Sequence, residues 1–70
     1  MQALSQARPG ETYTTKWMLG VPEVVEFLHS QHVEEGGTIR LIGRCRDSVI
    51  IGIRDKRFVL GDEIAERIKV

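Results

Sequence analysis

Glu26, His29 and His32 follow one another at three-residue spacing, and on a helix side chains so spaced climb a single flank. Carboxylate and imidazole both bind divalent transition metals, and the thiolate of Cys45 could complete the set. A ferrous or zinc ion is the metal such a group suggests, although nothing in the chain requires a cofactor. The spacing permits a metal site without specifying one. His32 falls at or beyond the end of the expected helix, and no neighbouring motif holds Cys45 close. Histidines near a helix C-terminus also complement its dipole and its free carbonyls. As the single cysteine, Cys45 cannot close an internal disulfide, and the simplest expectation for it is a small buried hydrophobe. The chain has no phosphate-cradling glycine loop, no cysteine pair at metal-ligand spacing and no nucleophile elbow. No enzymatic activity is expected.

Ten basic and ten acidic side chains give the 70 residues a formal net charge of zero, which argues against indiscriminate attraction to nucleic acid or anionic lipid. The distribution is less even. Between Arg40 and Arg57, six basic residues (Arg40, Arg44, Arg46, Arg54, Lys56, Arg57) oppose Asp47 and Asp55, leaving this stretch at +4 and the remainder at −4. Such a stretch is either a solvated sheet face or a surface for an acidic partner. A chain this short builds one domain, residues 1–70, with a modest core. It has no apolar run long enough to span a bilayer and no signal-peptide pattern, so no membrane insertion and a cytoplasmic location are expected.

The elements that must position these groups are mostly strands. Pro9-Gly10 signals a turn, and the alternation in Thr12–Trp17 predicts a half-buried strand with Tyr13 and Trp17 on one face and Trp17 in the core. Gly20 interrupts it, and Pro22 suits the first position of a helix. Val21, Val24, Val25 and Leu28 form the apolar stripe of that helix, and Phe27 falls off it and is expected to project outward. Glu34–Gly37 is a loop. Thr38–Gly43 is a second strand with Ile39 and Leu41 on one side. Ser48–Arg54 is a third with Val49, Ile51 and Ile53 on one side, where Gly52 suggests a bend or bulge. A tight, slightly strained turn at Asp55-Lys56 leads to Arg57–Leu60. Asp62 is expected to cap a one-turn helix containing Ile64 and Ala65. Ile68 and Val70 then look like the inward face of a last strand that pairs with the first, closing a small barrel and removing its edges. The predicted fold is mainly β, a barrel of about five strands with a short inserted helix.

The order of these segments, "LSQARPGETYTTK", "VEEGGTIRLIGR" and above all "DSVIIGIRDKRFVLGDEIAERIKV", resembles the FeoA domain family over nearly the whole chain. In the last segment the family has an alternating strand, a tight turn followed by a basic residue (Arg57), then Leu60, a short helix carrying Ala65, and a closing Ile68-x-Val70. The helix departs from the family pattern: it is acidic rather than basic, and His32 stands where a glycine is usual. The resemblance implies an SH3-like barrel that accompanies the bacterial ferrous iron transporter FeoB, binds its cytosolic region and catalyses nothing itself. It implies a cytoplasmic protein brought to the inner face of the membrane by its partner. Candidate partner surfaces are the helix (Glu23, Glu26, Phe27) and the basic stretch (Arg44, Arg46, Arg54, Arg57). Similar domains form the C-terminal module of metal-dependent repressors of the diphtheria toxin repressor type, an alternative that a chain beginning at Met1 without a helix-turn-helix does not favour. A small nucleic-acid-binding barrel is a further alternative, against which stand the zero net charge and few aromatic residues.

Overall fold

Strict alternation in "SVIIGI" makes the central strand of the molecule: Val49, Ile51 and Ile53 are buried on one face. The computed structural model covers residues 1–70. A 3-10 turn at Leu4–Gln6 is followed by β1 (Thr12–Thr14), β2 (Trp17–Met18), α1 (Pro22–Ser30), β3 (Thr38–Arg44), β4 (Ser48–Ile53), β5 (Lys56–Gly61), α2 (Asp62–Ala65) and β6 (Ile68–Lys69). β1, β3, β4 and β5 form an antiparallel sheet in that order, and β2 pairs with β6 in a second, two-stranded sheet. This is the mainly β architecture that the alternation predicts, with six strands and the helix inserted where Pro22 begins it.

One face of the larger sheet carries Ile39, Leu41, Ile51 and Leu60, which join Leu4, Leu28, Val33, Ala65 and Ile68 in the core. The 3-10 turn, the C-terminal end of α1, α2 and β6 thus cover that face. Each fully buried Leu or Ile contributes roughly 2 kcal/mol of transfer free energy, so loss of any one is felt in a core this small. The chain end is anchored: Gln2 donates to Val70 O at 2.9 Å, Val70 donates to Gln2 O at 2.8 Å, and Ile68 and Val70 are buried.

Several expectations are corrected. The predicted strand Thr12–Trp17 is two strands in different sheets, because Thr15 turns its backbone to the Glu34–Gly37 loop: Thr15 N–H donates to Gly37 O at 2.8 Å and its carbonyl accepts from Gly36 at 2.9 Å. Trp17 is consequently 43% exposed rather than in the core, and Met18 packs inward instead. β6 pairs with the Trp17 end of the predicted first strand, which is β2, and not with β1, so β1 and β5 remain edges of the larger sheet. Gly52 lies in regular pairing, and the bulge is in β3, where Leu41 pairs with Ile51 and Gly43 with Ile50, leaving Ile42 as the extra residue. Asp62 begins α2, but makes no side-chain cap, and its Oδ1 is buried without a hydrogen-bond partner.

Candidate functional site

The helix that carries the acidic candidates ends in a specific geometry. His32 N–H donates to His29 O and Val33 N–H to Leu28 O, both at 2.9 Å, and His32 is left-handed with φ 67°. These two bonds, together with the buried pair Leu28 and Val33, constitute a Schellman ending in which histidine occupies the position usually given to glycine. Glu23, Glu26 and Phe27 lie on the outer side of α1, and Phe27 is 50% exposed, as its place off the apolar stripe predicts. The same end of the molecule exposes Trp17, Leu19 and Val21. A groove of about 340 Å³ lies between the start of α1 and α2, lined by Gly20, Val21, Val24, Glu63, Ile64 and Arg67. Val21, expected in the apolar stripe of the helix, is 54% exposed, because it stands before α1 in an extended conformation.

The basic stretch divides into residues held by the fold and residues left to solvent. The β3 bulge reverses the faces beyond it, so Arg44 pairs with buried Val49 and its guanidinium donates to Ala7 O at 2.8 Å. Arg46 sits exposed in the turn between β3 and β4. The β4–β5 hairpin closes at the pair Ile53–Lys56, so its turn is Arg54-Asp55. There Arg54, with φ 58°, supplies the positive angle that no glycine is present to take. Arg57 is exposed on β5. His32 and Arg54, the two non-glycine residues in left-handed conformations, both line a cleft of about 190 Å³ between the end of α1 and the hairpin, with Lys56 and Phe58. The cleft joins the helix surface to the basic stretch. Arg40 was counted in that stretch but not proposed as a contact, yet it is exposed on the outer side of β3. Its guanidinium lies across Gly52, where a Cβ would collide with it.

The metal candidates do not assemble. No group of three or more His, Cys, Asp and Glu side chains is close enough to hold an ion. His32 has left the helix, which breaks the flank shared with Glu26 and His29, and Cys45 lies exposed in the β3–β4 turn, where its N–H donates to Ser48 O at 2.9 Å. Cys45 is therefore also not the buried hydrophobe expected of it. No helix is long and apolar enough to cross a membrane.

A small, mostly β fold of SH3-like type, with exposed charged and apolar surfaces around an inserted helix, defines the class. The FeoA domain model matches residues 2–70, and the chain belongs to that family. Among solved structures it is similar to an iron uptake regulatory protein (FeoA), with a TM-score of 0.85 and 27% identity over 94% of this chain and 89% of that one. It is also similar to a manganese-dependent transcriptional repressor (TM-score 0.86, 20% identity) and to ScaR with bound Zn²⁺ (TM-score 0.86, 18% identity). The matches cover 96% and 97% of this chain but 39% and 35% of those proteins, so it corresponds in fold to well under half of each. No curated protein gives a significant sequence match.

Proposed function

We propose that this protein is an accessory module of ferrous iron uptake that works by binding the cytosolic region of the FeoB transporter and carries out no reaction of its own. Family membership over residues 2–70 supports the connection to iron uptake. The observation that carries the mode of action is Phe27, half exposed on a nine-residue helix beside Glu23 and Glu26. An aromatic ring left in water beside carboxylates is the kind of group that gains most when a partner covers it. The hairpin cations Arg54 and Arg57 and the turn residue Arg46 supply a second, oppositely charged contact zone, and His32 sits between the two. The protein acts in the cytoplasm and meets the membrane through its partner.

Titration of isotope-labelled protein with the isolated cytosolic region of the transporter tests this. Saturable amide shifts confined to α1, the cleft around His32 or the exposed arginines are expected, weakened at least tenfold in Phe27→Ala. Unchanged affinity in Phe27→Ala would remove the helix from the interface, and absence of any shift would remove the isolated cytosolic region as the partner.

A further inference from the structure

The two-residue turn fixes which backbone groups of β5 are already used. In such a hairpin the closing pair Ile53–Lys56 exchanges both hydrogen bonds, and so do the alternate pairs Ile51–Phe58 and Val49–Leu60. The ladder on the other side of β4 agrees. Leu41 bonds toward β1, donating to Glu11 O at 3.0 Å and accepting from Gly10 at 2.6 Å. Arg40 therefore turns its backbone to Gly52, and Gly52 has none left for Arg57. The N–H and C=O of Arg57 and of Val59 point away from the sheet, on a side where β5 has no neighbouring strand.

The side chains of these two residues project onto the face of the sheet that the core elements leave bare. Thr12, Arg40, Gly52 and Arg57 form one cross-strand row there, and Gly43, Ile50 and Val59 form the next, with the bulged Ile42 beside Gly43. Val59 is 59% and Ile42 38% exposed. Because Gly52 has no Cβ, the Arg40 guanidinium lies over β4 at Gly52, the residue that pairs with Arg57. Two cations thus share one cross-strand row that ends at this edge, on rows without a carboxylate, next to an aliphatic strip that ends at Val59.

We propose that β5 is the docking edge for an extended segment of a protein partner in which an acidic and an aliphatic residue stand two positions apart. The incoming strand pairs with the N–H and C=O of Arg57 and Val59. Its acidic side chain sits beside Arg57 and Arg40, and its aliphatic one extends the Ile42–Ile50–Val59 strip. The charges decide the occupant. A second copy of β5 brings Lys56 and Arg57 to the seam again, a common guard against edge-to-edge pairing, whereas an acidic strand neutralises them. The proposal rests on the preceding section only in taking the chain to work by protein contact.

The test uses the full chain and the capped peptide Thr-Glu-Thr-Val-Thr, with a Lys-for-Glu peptide as control, followed by amide hydrogen exchange and chemical shifts. Protection of the Arg57 and Val59 amides on saturation is expected. The Lys peptide and the protein variant Arg57→Glu should each bind about tenfold more weakly, since each turns an attraction into a repulsion. Val59→Lys, at an exposed position, should keep the spectrum of the folded domain and lose the binding. Absence of saturable binding overturns the proposal, and so does protection of the same amides that rises with protein concentration alone, which would assign the edge to a second copy. If the peptide fails while the transporter's cytosolic region binds elsewhere, the edge is refuted and the functional proposal stands. If both fail, both are refuted.

Discussion

Replacing His32 by glycine should stabilise the domain, and replacing it by valine should weaken it. The left-handed conformation costs an L-residue about 1–2 kcal/mol, and histidine, enriched in that region, lies toward the lower end. Glycine removes the cost but gives the unfolded chain more freedom, offsetting about 0.4–1 kcal/mol. The two bonds that define the helix end, His32 N–H to His29 O and Val33 N–H to Leu28 O, are backbone bonds and survive either change. The net gain for His32→Gly is about 0.5 kcal/mol, or a rise of about 2–4 °C in Tm for a domain of this size. Valine, branched at Cβ and forced to φ 67°, should fall about 1 kcal/mol below histidine. Thermal melts followed by circular dichroism, with urea midpoints as a second measure, give the order. A glycine variant that melts lower than the parent, or glycine and valine variants that melt together, would show that the left-handed angle does not carry the assigned cost.

Thr15→Val should raise stability by about 1 kcal/mol in urea unfolding, because the Thr15 hydroxyl is buried without a hydrogen-bond partner; a lower midpoint would mean that the hydroxyl is satisfied in solution. Arg44→Met should lose about 1 kcal/mol through the bond to Ala7 O and speed exchange of the Gln6 and Ala7 amides, while exposed Arg46→Met stays within about 0.5 kcal/mol. Ile51→Ala, at the centre of the core, should cost about 2–5 kcal/mol with the urea slope unchanged. Equimolar Zn²⁺ or Fe²⁺ should not shift the His29, His32 and Cys45 signals together, since those side chains form no shared ligand group.

Period-two alternation made the core strands legible, because a face that must be buried leaves its mark at every second residue. Val49, Ile51, Ile53, Ile39 and Leu41 are all buried as that pattern requires. Pro22 and the stripe through Val24 and Leu28 marked α1 for the same kind of reason. What escaped depends on contacts between distant segments. Thr15 has the composition of a strand interior, and only the Glu34–Gly37 loop, twenty residues on, takes its backbone away. The 3-10 turn at Leu4–Gln6 has no periodicity of its own, yet Leu4 is wholly buried by elements from the far end of the chain.

The bulge at Ile42 explains why the candidate site was only half legible. Simple alternation through "TIRLIGR" puts Arg40, Ile42 and Arg44 on one side of β3. One extra residue in the pairing leaves Arg40 and Ile42 outside and sends Arg44 in to Ala7. Nothing local announces it, since the cue of a strand glycine pointed to Gly52 instead. Yet Gly52 has a use on the same face: it leaves the room in which the Arg40 guanidinium lies over β4, one strand in from the β5 edge. A bulge in one strand and a missing Cβ in the next therefore act together, turning Arg44 to Ala7 O and placing Arg40 on the row that ends at Arg57 beside an unpaired strand edge. Charge counting found the basic stretch but could not sort its arginines. The register of three strands does so: it turns Arg44 to Ala7 O and leaves Arg40 on the outer face beside Gly52.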